Sequence, residues 1–212
     1  WDREVKPIVA KYPAQERQHE VVFYGASNFR LWTELENDLS GYKVQNHGFG
    51  GSTDKLLVEY APVLLYPYQP DIVFFQTGSN DYVALSGTNE EKVAACMEYK
   101  REMFAAFHEQ LPNAKFVVMS GLLLPGRTEF TALTQRVNEE LAELCTQTDY
   151  LYFVDASELT YDGQDYAAEL FQGDGIHLNH KGQLLWRDGY IQPQLEQLIQ
   201  EFELDHLRRT ED

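Results

Sequence analysis

The sequence is poor in residues that mark several functional classes. It has only two cysteines, Cys96 and Cys145, which lie far apart and outside any Cys-x-x-Cys pattern. This spacing opposes a structural zinc site or a redox pair, so we expect reduced thiols within helices. The longest apolar run, residues 116–124, is interrupted by Ser120 and Gly121. It is far shorter than the roughly 20 residues of a membrane-spanning helix.

Basic residues are also scarce. The 212 residues include 17 Lys and Arg against 34 Asp and Glu, a formal net charge of −17. This charge opposes binding to nucleic acid and to anionic membrane surfaces, so we expect neither a nucleic-acid partner nor stable membrane association. The lack of a spanning segment favours a cytoplasmic protein, although the start at Trp1 leaves secretion open. No pattern predicts the oligomeric state.

What the sequence does contain is a regular alternation of buried strands and amphipathic helices. Apolar runs begin near residues 21, 42, 71, 115 and 150, and helical patterns follow them. Because parallel neighbours need helical crossovers, this alternation predicts a three-layer α/β/α sandwich with a flavodoxin-like, five-stranded parallel sheet in the order 2-1-3-4-5. We expect one domain over residues 1–212, with residues 1–19 as a leading helix packed on it.

The first strand and the helix after it enclose a serine. Residues 21–24 form the strand, and the spacing of Phe29, Trp32, Leu35 and Leu39 predicts one helix up to Leu39. Ser27 lies between these elements, at the edge of the sheet where ligands collect in open α/β folds. A serine there is either a nucleophile or the N-cap of its helix.

Three further loops carry polar or glycine-rich segments. Residues 46–53 read Asn-His-Gly-Phe-Gly-Gly-Ser-Thr, residues 77–81 read Thr-Gly-Ser-Asn-Asp, and residues 174–179 read Asp-Gly-Ile-His-Leu-Asn. Asp174 and His177 are three residues apart, a spacing that lets the carboxylate hold one imidazole nitrogen while the other accepts a proton. Asp155, at the end of the fifth strand, is the rival acid, but nothing in the sequence sets it beside His177.

Together with Tyr24-Gly-Ala-Ser-Asn, these segments resemble the four sequence blocks of the SGNH hydrolases, the GDSL esterase and lipase family. The resemblance spans nearly the whole chain. It implies a serine carboxylic-ester hydrolase with Ser27 as nucleophile, His177 as base and Asp174 as acid. It also implies an oxyanion hole formed by Ser27, Gly51 and Asn80, and a reaction that needs no metal or cofactor.

The first block departs from the family pattern. Ala26 stands where Asp is common, and Asn28 stands where Ser or Leu is frequent. We expect neither change to affect the chemistry. Phe29 is not the glycine of a G-x-S-x-G elbow, which argues against the α/β-hydrolase fold.

The substrate is less sharply defined than the reaction. The compact, acidic chain favours small or carbohydrate-borne acyl esters, with acetyl esters first. Lysophospholipid or thioester hydrolysis is the alternative, because apolar loop residues near Tyr82 and Leu123 can line an acyl groove or simply pack in the core. We predict Asn28, Tyr82 and Leu123 as substrate-binding residues. A flavodoxin-like module that binds a small ligand without catalysis is the hypothesis from another class.

Overall fold

Five parallel strands form the centre of the computed structural model, which describes residues 1–210. They are β1 (Val21–Gly25), β2 (Val44–Asn46), β3 (Ile72–Gln76), β4 (Lys115–Met119) and β5 (Leu151–Val154). Their order in the sheet is β2-β1-β3-β4-β5, and every neighbouring pair is parallel. The predicted α/β sandwich and its strand order are therefore confirmed.

Helices cover both faces of this sheet. They are α1 (Asp2–Lys11), α2 (Ser27–Arg30), α3 (Leu35–Asp38), α4 (Asp54–Leu64), α5 (Ser79–Val83), α6 (Asn89–Gln110), α7 (Thr131–Thr146), α8 (Ser157–Thr160), α9 (His180–Trp186) and α10 (Gln192–Glu201). Alternate side chains of a strand point to opposite faces, so β1 serves two cores. Val22 and Tyr24 pack with α1, α4, α6 and α7, whereas Val21 and Phe23 pack with α2, α3, α9 and α10.

The helix predicted from Ser27 to Leu39 is wrong, because it is broken into α2 and α3. The side-chain amide of Asn46 donates hydrogen bonds to the carbonyl oxygens of Phe29, at 2.7 Å, and Trp32, at 3.3 Å. A continuous helix would need these carbonyls for its own hydrogen bonds. The break keeps Phe29 and Trp32 in the core, where both stack on Trp186.

The two terminal segments differ in how well they follow the sequence pattern. The leading helix ends at Lys11 rather than extending to residue 19, and its Val5 reaches the core. The last helix is not continuous: a π-helical segment, Arg187–Ile191, which contains Gly189, separates α9 from α10. Both cysteines lie buried in helices as free thiols, as predicted.

Candidate active site

Ser27 lies just beyond the carboxyl end of β1, where it begins helix α2. Ala26, in extended conformation, is the N-cap residue, so Ser27 is the first helical residue and does not cap its helix. Its Oγ lies 2.7 Å from Nε2 of His177, a residue 150 positions further along the chain. The local capping explanation of this serine is therefore wrong, and its hydroxyl has a histidine partner.

The other ring nitrogen of His177 contacts Asp174. Nδ1 lies 2.5 Å from Oδ2 of Asp174, while Oδ1 accepts the backbone N–H groups of Ile176 at 2.8 Å and His177 at 3.0 Å. Partial burial opposes ionisation of Asp174, but the Ile176 N–H and the His177 contacts outweigh it and lower the pKa of the carboxyl to about 2. An ionised Asp174 favours the imidazole tautomer with its proton on Nδ1. Nε2 is then an acceptor directed at Ser27.

Asp155 lies apart from this group. Its Oδ1 accepts hydrogen bonds from the backbone N–H of Ser157, at 3.0 Å, and from the Ser157 hydroxyl, at 2.6 Å. These contacts hold the start of α8. The structure thus brings Asp174, and not Asp155, to His177.

Two backbone contacts fix the loop that carries Asp174 and His177. Oδ1 of Asn28, the neighbour of Ser27, accepts the N–H of Leu178 at 3.1 Å. On the other side of the loop, the N–H of Gly126 donates to the carbonyl oxygen of Gly175 at 2.8 Å. A Cβ at Gly126 would lie 2.3 Å from the carbonyl oxygen of Asp174, so only glycine permits this approach. The contact between Asn28 and Leu178, the residues that follow Ser27 and His177, therefore keeps the serine and the histidine in register.

The predicted oxyanion-hole residues come from two neighbouring loops. Asn80 borders the cavity beside Ser27, and its Nδ2 donates to the carbonyl oxygen of Ser52 at 3.2 Å. Gly51, directly before Ser52, has a φ of 68°, a conformation that glycine adopts without strain. Gly51 is exposed and does not line the cavity, and the ring of Trp1 comes within 3.0 Å of where a Cβ would stand. Asn80 therefore lines the cavity itself, whereas Gly51 is connected to the cavity only through Ser52, which accepts the hydrogen bond from Asn80.

The cavity at Ser27 and His177 is small. Its volume is about 40 Å³, and its apolar wall consists of Leu122, Leu124 and Ile176. A single water needs roughly 10–15 Å³ measured this way, so the space corresponds to about three waters. An acyl group of two or three heavy atoms matches that size.

The sequence of residues 15–185 matches the model of the GDSL-like lipase and acylhydrolase family. This chain belongs to that family. It is accordingly a carboxylic ester hydrolase, and the predicted family and enzyme class are confirmed. No curated protein matches the sequence.

Solved structures share the fold of this acylhydrolase. A GDSL-like lipase from Bacteroides thetaiotaomicron is 18% identical, with a TM-score of 0.63 over 91% of this chain and 97% of that one. A carbohydrate esterase of family 3 from Talaromyces cellulolyticus is 20% identical, with a TM-score of 0.60 over 87% and 99%. An acetyl esterase variant with an acetate ion is 19% identical, with a TM-score of 0.59 over 87% and 100%. At these identities the likeness shows the fold alone.

Beneath the two loops, this acylhydrolase contains a charged cluster that sequence reasoning missed. Nζ of Lys100 lies 2.7 Å from Oδ2 of Asp54 and 3.1 Å from Oγ1 of Thr77. The backbone N–H of Asp54 donates to Oδ1 of Asp81 at 3.0 Å. Burial and the nearby Asp54 raise the pKa of Asp81 to about 7. Lys100 lies on α6, so the cluster ties this helix to the loops that carry Gly51 and Asn80.

Of the three predicted substrate-binding residues, only Asn28 borders the cavity, and its side-chain oxygen already holds Leu178. Tyr82 and Leu123 are each 2% exposed and lie outside the cavity wall. Tyr82 packs edge-on against Phe130. The structure therefore does not bring Tyr82 or Leu123 to the site, because both positions pack in the core.

Arg127 is a cavity residue that the sequence did not single out. It follows Gly126, and its Nη1 donates to Oγ of Ser79 at 2.7 Å and, more weakly, to Oδ1 of Asn80 at 3.5 Å. The signal that could have found it is its place in the loop after β4, at the edge of the sheet that carries Ser27.

Within residues 1–210, no three His, Cys, Asp or Glu side chains are grouped so that they could hold a metal ion. No helix within the same range is both long and apolar enough to span a membrane.

Proposed function

We propose that this chain hydrolyses small acyl esters, acetyl esters first, through a Ser27–His177–Asp174 triad. The observation that carries the proposal is the 2.7 Å contact between Oγ of Ser27 and Nε2 of His177, with Asp174 on the opposite ring nitrogen. This arrangement has the geometry of an activated nucleophile, its base and the group that orients the base.

In the first half of the reaction, Ser27 Oγ attacks the ester carbonyl carbon while His177 Nε2 takes the hydroxyl proton. The C–O bond to the alcohol then breaks, and His177 returns the proton to the departing oxygen. The acyl group is left on Ser27. In the second half, His177 removes a proton from water, the resulting hydroxide attacks the acyl-enzyme, and the acid leaves as Ser27 regains its proton.

The negative oxygen that forms in each half needs hydrogen-bond donors. As the first residue of α2, Ser27 has a backbone N–H without a partner in its helix. One N–H of the Asn80 amide is directed at Ser52, which leaves the other for the substrate. We assign the third donor to the backbone N–H of Gly51, as the family resemblance implies. Each such donor typically contributes about 100-fold to 1,000-fold in turnover.

The size of the cavity supports a small acyl group. A volume of about 40 Å³ suits acetyl better than a long chain, and Leu122, Leu124 and Ile176 supply apolar contacts for its methyl group. The carbohydrate esterase and the acetyl esterase that share the fold are consistent with acetyl esters, including those carried by carbohydrates.

The test is hydrolysis of p-nitrophenyl esters of increasing acyl length by the wild type, Ser27→Ala and the exposed control Ser40→Ala. We expect activity to peak at acetyl, to be lost in Ser27→Ala and to persist in Ser40→Ala. A Ser27-dependent peak at long chains would move the substrate toward lysolipids or thioesters. Folded wild type that neither hydrolyses any ester nor reacts with a fluorophosphonate probe at Ser27 would favour the non-catalytic binding module.

A further inference from the structure

Arg127 is the one permanently charged side chain among the residues that line the cavity beside Ser27, within the described range 1–210. Apart from His177, the other lining residues are uncharged. The turn that carries Arg127 is fixed: its N–H donates to the carbonyl of Leu124 at 3.1 Å, and Gly126 is clamped to Gly175. The backbone of Arg127 is therefore held in register with the loop of Asp174 and His177, and its guanidinium is held by Ser79 and Asn80.

Most other arginines of this acidic chain bind carboxylates. The pairs are Arg17 with Glu20, Arg30 with Glu4, Arg136 with Glu90, Arg187 with Asp188, and Arg208 with Glu196. Arg127 has no carboxylate within ion-pair distance among residues 1–210; its partners are the uncharged Ser79 and Asn80. The acid of the proposed triad, Asp174, is already engaged by Ile176 and His177.

The two hydrogen bonds of Arg127 do not use all of the N–H donors of its guanidinium. Both contacts come from Nη1, while a guanidinium has five N–H donors on three nitrogens. A planar fork of this kind is suited to the two oxygens of a carboxylate or phosphate. With a net charge of −17, the protein as a whole repels anions. Arg127 lines the same cavity as Ser27 and has no acidic partner. It can therefore attract one anionic group locally, although the protein as a whole repels anions at long range.

We infer that Arg127 binds an anionic oxygen group of the substrate, so that the enzyme prefers esters with a carboxylate close to the scissile carbonyl. This inference rests on the proposed esterase function and narrows its substrate class. The anionic group can belong to the alcohol, as in an acetylated hydroxy acid or acidic sugar, or to the acyl part, as in a dicarboxylic half-ester. Both place the same chemistry against the guanidinium.

The experiment compares kcat/KM for matched charged and neutral esters. O-acetylglycolate and O-acetylglycolamide test an anion on the alcohol; p-nitrophenyl hemisuccinate and p-nitrophenyl succinamate test one on the acyl group. In the wild type we expect the charged member of one pair to be preferred by about 10-fold to 100-fold, the range for a charge-assisted hydrogen bond. The pair that shows the preference identifies the side that carries the anion.

The preference should depend on Arg127 itself. Arg127→Gln should bring the ratio of charged to neutral ester close to one, and Arg127→Lys should keep part of it. Arg101→Gln, which removes an exposed arginine from α6, should leave the ratio unchanged. If Arg127→Gln fails to fold, two other measurements test the same inference. The wild-type ratio should fall with added NaCl, and the Arg127→Lys ratio should lie below that of the wild type.

Two results would overturn the inference while leaving the esterase intact. One is a wild type with no charged preference in either pair. The other is an equal loss on charged and neutral members in Arg127→Gln, which would mean that Arg127 acts through Asn80. The proposed function fails separately, if no ester is hydrolysed in a Ser27-dependent way.

Discussion

Lys100 and Asp54 form an ion pair inside the protein, with Nζ 2.7 Å from Oδ2 and both side chains at most 5% exposed. Lys100 also holds Thr77, and Asp54 holds Asp81, so the pair connects the two loops that approach Ser27. Taking two charges out of water is costly, and a buried pair is weak evidence for stability in itself. Its position indicates a role in fixing the loops.

Lys100→Met should strongly destabilise the fold. It leaves Asp54 buried without its cation, a change that typically costs about 3–5 kcal/mol of unfolding free energy. The matched control is Lys55→Met, an exposed lysine of α4, expected to stay within about 0.5 kcal/mol of the wild type. Urea unfolding measures both. A loss for Lys100→Met no larger than for the control would contradict a structural role for the pair.

Asp81 should make stability depend on pH. Burial and the charge of Asp54 raise its pKa from an ordinary value of 3.8 to about 7. Between these values the folded protein holds a proton that the unfolded chain has released, so the unfolding free energy falls as pH rises. The maximum slope is about 1.4 kcal/mol per pH unit, and the effect levels off once the pH has passed through the folded pKa.

The measurement is the unfolding free energy of the wild type relative to Asp81→Asn from pH 4 to pH 8. The variant cannot ionise at this position, so the wild type should lose stability relative to it over that range. Asp149→Asn, at an exposed position, should show no such trend. A difference that grows in favour of the wild type with rising pH would have the wrong sign for a raised pKa.

The sequence predicted the sheet order and the four loops well because both depend on local patterns. A doubly buried strand such as β1 reads as a continuous apolar run, and the loops with Ser27, Gly51 and Asn80 follow from where each strand ends, whereas the loop with Asp174 and His177 is marked by its own spacing. The break between α2 and α3 was missed because its cause, Asn46, lies on β2, outside the segment that forms these helices. Lys100 and Tyr82 were missed or misplaced for the same reason: their burial depends on packing between distant elements.

Asn80→Ala should impair turnover far more than substrate binding. Loss of one oxyanion-hole donor costs about 100-fold to 1,000-fold in kcat, since that hydrogen bond strengthens as the carbonyl oxygen becomes negative. Asn113→Ala, in an exposed turn, removes the same amide elsewhere and should retain wild-type kcat. Steady-state kinetics on p-nitrophenyl acetate distinguish these cases. A rise in KM with unchanged kcat would instead assign Asn80 to ground-state binding.

Asp174→Asn tests the acid of the triad with little change in the loop. Asparagine can keep the oxygen that accepts the N–H groups of Ile176 and His177. It then places an uncharged amide NH₂ where the carboxylate oxygen contacts Nδ1. The imidazolium then loses its anionic partner and the tautomer that activates Ser27 is no longer favoured. In serine proteases the equivalent change lowers kcat about 10⁴-fold. Because Asp174 is partly exposed here, we expect a loss of roughly 10²-fold to 10⁴-fold.

The control is Asp155→Asn, which changes the rival acid just after β5. Its contacts with Ser157 support only the start of α8, so kcat/KM should stay within about threefold of the wild type, in keeping with the small effects of surface substitutions. Circular dichroism and thermal unfolding establish that both variants are folded before their rates are compared. If folded Asp174→Asn and Asp155→Asn lost activity equally, or if Asp155→Asn lost more, His177 would be oriented by a different group and the assignment of Asp174 would have to be withdrawn.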